Sequence, residues 1–398
     1  MKILYVTAVW SAGGEPTMHS DFIDAAARRG HDVTVLALCE KRNGIPTSYR
    51  EENGVRYLTV RCGNIQKTNK YQKVISSVTA NFHISRAAGK YLKKQRFDTV
   101  VWSVSSTLMC FAVQRLAKKT HALEYLLLKE YWPQDPIDLG AMSPNGIVSK
   151  CLRFVERRMM RAADVIGASS PGGIRYVERF YPDCVTKCEV CPHCETVRAV
   201  DKTKRDEILA SFGVPTDKTV FLYGGNFGVS QGIDDMVACI RAAAAIEGTY
   251  FLMLGSGTEY AKAKNALAGL DSVQFRDGLR YTAFLRLAAV CDCGMIFLYR
   301  NYTVPNVPGK LNTYLNAEIP IIACVDGATD AGKLIDDGGA GIAVPSGDTE
   351  AFCAAVRRMM DGETRQTMSK NAKALLENSF SADIAVGIVE SAIGRMQK

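Results

Sequence analysis

Phe221-Leu-Tyr-Gly-Gly-Asn-Phe-Gly-Val-Ser-Gln-Gly232 is a short apolar run that leads into glycines and then into a helix-forming segment. A strand, a glycine-rich turn and a helix in that order open a parallel α/β unit. In such sheets ligands bind beyond the carboxyl ends of the strands, where glycines let backbone approach phosphate and a helix start favours negative charge. Because this run lies past the middle of a 398-residue chain, it marks the beginning of a second fold of this kind.

The pattern continues outward in both directions. Apolar strand-length runs at 219–223, 250–254, 272–275, 294–298, 319–324 and 341–344 alternate with helical stretches, as do runs at 2–9, 31–38, 54–61, 99–104, 122–128 and 163–169. Strands separated by helices imply a mainly parallel sheet covered on both faces. The expectation is an α/β protein of two Rossmann-like, doubly wound domains facing one another. Residues 1–195 form the first, residues 196–375 the second, and 376–398 a terminal helix that crosses back. The stretch 182–203 has little apolar periodicity and reads as the linker.

Composition narrows the functional classes. At 47% apolar and 23% charged the chain is an ordinary globular protein, and its length suits two cores. It contains no apolar run long enough for a membrane span and no signal-peptide core at the start, so a cytoplasmic location is expected. Residues 1–199 carry a net charge of +11 and residues 200–398 a net charge of −3. A basic first half suits an acidic surface or ligand. Nucleic acid is not the expected partner, because no basic stretch is interleaved with aromatics. Two basic amphipathic segments stand out instead. In 64–97, Lys67, Lys70, Lys73, Lys90, Lys93 and Lys94 accompany an apolar helical face of Val74, Ile75, Val78, Phe82 and Ile84; the segment 147–161 carries Arg153, Arg157, Arg158 and Arg161. Either could meet an anionic membrane surface.

Two constellations could carry chemistry. Cys184, Cys188, Cys191 and Cys194 have the spacing of an iron–sulfur or zinc site, although they fall in a linker between α/β halves, where buried free thiols are the simpler reading. The second constellation is the donor side of the later sheet. Gly224, Gly225 and Gly228 permit close backbone approach, and Asn226 and Gln231 offer side-chain donors. Gly255 and Gly257 form another glycine turn after a strand. In Asn306-Val-Pro-Gly-Lys310, turn formers precede a helix and place Lys310 at its start. Three such turns along one sheet edge describe a diphosphate site.

These stretches, in this order, resemble a GT-B glycosyltransferase of family 4, and in particular the bacterial subgroup that builds surface polysaccharide, aminosugar transferases included. The resemblance runs through Gly13-Gly14, Arg29-Gly-His-Asp-Val33, Tyr131-Trp-Pro133, Arg161-Ala-Ala-Asp164, Tyr223-Gly-Gly-Asn226 with Gln231-Gly232, Leu254-Gly-Ser-Gly257 and Pro308-Gly-Lys310. It implies a retaining transfer of a hexosyl or N-acetylhexosaminyl group from a nucleotide diphosphate-sugar, UDP-linked, to a lipid-linked or glycan acceptor. No metal and no other cofactor are implied, and the enzyme would work on the cytoplasmic face of the membrane.

Carried over by position, the donor is held by Gly225, Asn226, Gln231, Gly255, Gly257, Val307, Gly309, Lys310 and Thr313. The acceptor side comprises Gly13, Gly14 and Lys129, and Glu130 and Lys310 carry the catalysis. Relatives have Arg and Lys where Asn226 and Gln231 stand. Of the two donor-loop glutamates of many relatives, one falls near Pro305 and the other on Thr313. Thr313 and an altered linker motif at Pro192-His193-Cys194 leave one alternative, a non-catalytic partner subunit of the same fold; the cysteine cluster leaves another, an iron–sulfur or zinc protein built on Cys184–Cys194.

Overall fold

The computed structural model describes residues 1–8, 14–65, 68–103 and 107–397. The chain divides into two compact units, Met1–Thr196 with Ala382–Lys398, and Val197–Ser381. The helix Ala382–Met396 thus belongs to the first unit, where Ala385, Val386 and Val389 join the core of Ile3, Tyr5 and Phe22.

The first unit holds an eight-stranded sheet of β1 (Lys2–Thr7), β2 (Asp32–Glu40), β3 (Ser48–Glu52), β4 (Val55–Cys62), β5 (Thr99–Ser103), β6 (Leu123–Leu128), β7 (Val165–Ala168) and β8 (Cys188–Val190). Their order is β3-β4-β2-β1-β5-β6-β7-β8, parallel except for the β3–β4 hairpin. Two of these strands escape the sequence pattern. β3 is polar and half exposed at the sheet edge, so it has no apolar run to betray it. β8 lies inside the expected linker: residues 182–187 form a tight helical turn and Cys188–Val190 pair with β7. A three-residue edge strand is specified by its neighbour, not by its own composition.

The second unit contains β9 (Thr219–Asn226), β10 (Thr249–Ser256), β11 (Val273–Arg276), β12 (Cys293–Phe297), β13 (Ile321–Val325) and β14 (Gly341–Pro345), all parallel. Their order, β11-β10-β9-β12-β13-β14, is the 3-2-1-4-5-6 arrangement of a dinucleotide-type fold. Alternation along β9 shows why both faces are covered. Val220 and Leu222 enter one core, and Phe221 and Tyr223 the other. The strand order reverses between β9 and β12, and the crevice at that point is where such sheets bind ligands.

Gly224 and Gly225 of the opening stretch do not form a turn; the turn comes later, over Val229–Gln231, preceded by Gly228 and closed by Gly232 at φ +58°. β9 continues through Gly224 and Gly225 to Asn226, and β10 likewise includes Gly255 and Ser256, paired Gly255↔Gly225 and Ser256↔Asn226. The reason is crowding: a side chain on Gly255 would lie 1.8 Å from the carbonyl oxygen of Gly225, and one on Gly224 2.1 Å from the ring of Phe284. Glycine here lets two strand ends and a ring close up.

The basic segment 64–97 forms a helix over Lys70–Tyr91. Val74, Ile75, Val78 and Phe82 are exposed on it, whereas Ile84 is fully buried and does not share their face. At about 100° per residue Ile84 falls on the opposite side, against the sheet.

Candidate active site

At the carboxyl end of β9 the second unit assembles a small polar cluster around one buried cation. Lys310 opens the helix Lys310–Asn316, and its ammonium is closed off from solvent with no hydrogen-bond partner among the described residues. It sits 4.1 Å above the centre of the Tyr223 ring, and a methyl group on Gly225 would come within 3.5 Å of its Nζ. Burial lowers its pKa from the ordinary 10.5 to about 7. The ring face supplies some stabilisation of the cation, yet it is no substitute for an anion. A buried ammonium without a partner, aimed at the backbone of a glycine at a topological switch point, is a site lacking its counter-charge.

The cluster is held rigidly from below. Tyr314, buried and one helical turn beyond Lys310, accepts the Gly224 N–H at 3.0 Å and donates to the Leu222 carbonyl at 3.2 Å. The Tyr223 hydroxyl donates to the carbonyl of Asn226 at 2.6 Å. Asn226 and Gln231 brace one another through Nδ2 and Oε1 at 3.4 Å, and the same Oε1 accepts the Gly228 N–H at 3.2 Å. Gly257 abuts this pair, because a side chain there would lie 2.7 Å from Asn226 Oδ1. Gly225, Asn226, Gln231, Gly255, Gly257 and Lys310 therefore converge.

The remaining donor-side residues are placed differently. Val307 is buried in the hydrophobic core, Gly309 is exposed just before Lys310, and Thr313 is half-buried on the helix. That helix is only two turns long, so its dipole is a minor contribution and the ammonium is the principal positive charge. Tyr314 and Phe284 were not among the sequence candidates. The spacing of four from Lys310 to Tyr314 puts them on one helix face and was a usable signal. Phe284 left none.

In the first unit Gly14 has a left-handed φ of +72° ahead of the helix Met18–Arg28, while Gly13 lies outside the described residues. Lys129 is buried, and its Nζ donates to the Cys191 carbonyl at 2.6 Å. Desolvation lowers its pKa, with Cys191 and Cys194 opposing. Next to it Glu130 reaches the surface at the carboxyl end of β6. Crowding by neighbouring groups desolvates the carboxyl and pushes its pKa up to about 7, and the Asp135 charge adds to this. Asp135 is itself pushed up to about 6 by burial. Lys73, on the helix Lys70–Tyr91, lies 5.3 Å from the centre of the Trp132 ring. A carboxyl that titrates near neutrality, beside a lysine and an aromatic, is suited to acid–base work.

The cysteines do not gather. Cys184 sits in the turn before β8, Cys188 opens that strand, Cys191 lies against Lys129 through its carbonyl, and the Cys194 thiol faces the Met18 carbonyl at 3.9 Å. Among the described residues no three His, Cys, Asp or Glu side chains converge as metal ligands do.

Comparison with known proteins places this geometry in a family. Residues 13–186 match the Glycosyl transferase 4-like domain, and residues 218–362 match the Glycosyl transferases group 1 domain. The glycosyl transferase WcaI of Escherichia coli (strain K12), named for colanic acid biosynthesis, is 26% identical over 274 residues, 65% of either chain. Sucrose-phosphate synthase from Thermosynechococcus elongatus superposes with a TM-score of 0.77 at 14% identity, over 99% of this chain and 98% of that one. Alr3699/HepE from Anabaena, solved with UDP and glucose, superposes with a TM-score of 0.70 at 14% identity, over 99% of this chain and all of that one. With both domain families matched in order and the fold shared along the chain, the protein belongs to the GT-B glycosyltransferases of family 4.

Proposed function

We propose that the protein transfers a hexosyl or N-acetylhexosaminyl group from a UDP-sugar, with retention and without a metal, to a lipid-linked or glycan acceptor in surface polysaccharide synthesis. The observation that carries the donor half is the buried, unpartnered ammonium of Lys310 beside Gly225. The diphosphate would supply its missing counter-charge, and as the glycosidic bond breaks, Lys310 would stabilise the charge that develops on the departing UDP. UDP rather than another nucleotide is favoured by the UDP complex of the HepE relative. The direct test is a panel of UDP-, GDP-, ADP- and CDP-sugars scored for transfer and for thermal stabilisation. Stabilisation by another nucleotide alone, or transfer from none, would sink the proposal.

Glu130 would take the proton from the acceptor hydroxyl as its oxygen attacks. A base must be ionised, so at saturating donor the rate should climb tenfold per pH unit below about 7 and level off above it. Glu130→Gln should lower kcat on the order of 100-fold, abolish that limb, and leave UDP binding unchanged. An unaltered pH profile in the variant would remove Glu130 from the chemistry.

The acceptor would come from a lipid surface. Tyr71, Val74, Ile75, Val78 and Phe82 are more than half exposed on the helix Lys70–Tyr91, which carries Lys73 toward Trp132. No helix among the described residues is long and apolar enough to cross a membrane. Ile75→Ser with Phe82→Ser should weaken binding to anionic vesicles about tenfold in a flotation assay, with no loss of thermal stability. Equal flotation of variant and wild type would argue against this face.

A further inference from the structure

A second basic site lies in the first unit, away from everything described above. A cavity of about 670 Å³ opens between the helices Cys110–Thr120 and Ile147–Ala162. Its walls include His121 and Ala122, which precede β6, and Asp164, which precedes β7. It is therefore at the amino ends of these strands, whereas Lys129 and Glu130 follow the carboxyl end of β6. The length of a six-residue strand, roughly 20 Å, separates the two.

Three cations line it without a direct ion pair, although Arg157 is near enough to Asp183 to act on its charge. Lys118, Arg157 and Arg158 form no ion pair among the described residues, while Arg161 is paired with Asp183 at 2.6 Å. The guanidinium groups are held by rings: Arg158 lies 5.5 Å from the centre of Phe111 and Arg157 5.8 Å from that of Tyr181. The acids on the walls are otherwise engaged. Asp164 accepts the Glu124 N–H at 2.7 Å, and Glu124 accepts the Trp102 indole N–H at 3.0 Å. Independently of these charges, Gln114 lines the same cavity, is only 6% exposed, and its Nε2 has no hydrogen-bond partner among the described residues. A buried amide N–H is ordinarily satisfied, so it marks a place for an acceptor oxygen. The rim is apolar: Phe154 borders the cavity at 69% exposure, and Ile147 and Val148 continue outward along the same helix at 82% and 61%.

We infer that this cavity binds a phosphate-bearing anion, with Lys118, Arg157 and Arg158 as its counter-charges and Gln114 as a neutral donor. Guanidinium groups match phosphate oxygens in a two-pronged geometry, and aromatic stacking preorganises them for it. The phosphate could be the headgroup of an anionic lipid, its chains against Phe154 and Ile147, or a free phosphate from solution. The site does not depend on the reading of Lys310 or Glu130.

The test uses the full chain with two probes: inorganic phosphate by calorimetry, and phosphatidylcholine vesicles with and without phosphatidylglycerol by flotation. The double variant R157Q/R158Q should lose at least tenfold in affinity for whichever probe binds, and Gln114→Leu several-fold at unchanged charge. A surface variant with the same change in charge in the second unit, R357Q/R358Q, should lose less than twofold. An unchanged melting temperature shows that each variant is folded. Binding of inorganic phosphate that obeys this pattern supports a soluble ligand, and binding of vesicles alone supports a headgroup. Binding of neither probe, or equal losses in R157Q/R158Q and R357Q/R358Q with none in Gln114→Leu, overturns the site.

Discussion

Lys310→Met should make the ligand-free protein more stable while abolishing its response to UDP. The physical reason is the ammonium, which is buried without a partner and held at a pKa of about 7 against an ordinary 10.5. Between those values the unfolded chain binds the proton and the folded chain does not. The cost to stability is thus complete below pH 7 and fades as the pH rises toward 10.5. Methionine keeps the stem and removes the charge, so at pH 7 a gain of roughly 1–3 kcal/mol is expected, a rise in Tm of several degrees. Site residues often carry such a penalty, because binding requires a charge that folding does not. Loss of the cation should lower transfer by about 100-fold or more.

The same residue sets the pH dependence of donor binding. A diphosphate beside the ammonium restores its high pKa, so UDP should take up close to one proton at pH 8, measurable by calorimetry in buffers of different ionisation heat. Affinity should fall about tenfold per pH unit above 7, and in Lys310→Met both effects should vanish. A variant that is no more stable than the wild type, or that still responds to UDP, would show that Lys310 is satisfied in some other way.

Gly255→Ala should be the most damaging single change at the site. Its Cβ would lie 1.8 Å from the Gly225 carbonyl oxygen, and the residue holds φ at +147°, where an L side chain is strained. Neither partner can yield, since Gly225 and Gly255 are paired in the ladder between β9 and β10. A loss of about 3 kcal/mol or more is expected, near 10 °C in Tm for a unit of this size, together with loss of UDP binding. Gly269→Ala provides the contrast, having φ +83° and no atom within 4 Å of the added methyl. It should cost about 1 kcal/mol, from strain alone. Comparable melting temperatures for the two variants would mean that the contact between the strand ends is not what the glycine serves.

Much of the candidate site could be read from residue order. Gly225, Gly255 and Gly257 announce themselves because glycine after a buried strand has a short list of uses, and Lys310 follows a run of turn formers. What the pattern misassigned was the local form at two of them: Gly225 and Gly255 extend strands instead of turning, whereas Gly257 does lead into a turn. The mutual bracing of Asn226 with Gln231 depends on the turn between them, which no helix or strand period describes, and the support of Gly224 by Tyr314 joins residues 90 apart in sequence. Glu130 was legible as a polar residue at a strand end, but its raised pKa arises from desolvation by its surroundings and from the Asp135 charge, against the opposing pull of Trp132 and Lys73.

Alternating apolar runs and helical stretches were enough to determine two parallel α/β units, because a strand buried on both faces and a helix buried on one leave different periodicities. Glycines after the strands and a basic first half were enough to point toward a phosphorylated ligand. Three features were decided only by the tertiary structure: the pairing of β8 with β7 inside the expected linker, the burial of the Lys310 ammonium over Tyr223, and the unpartnered amide of Gln114 in a basic cavity. Each depends on what the rest of the chain places around a residue. Desolvation and hydrogen-bond satisfaction are properties of those surroundings, and no local sequence pattern encodes them.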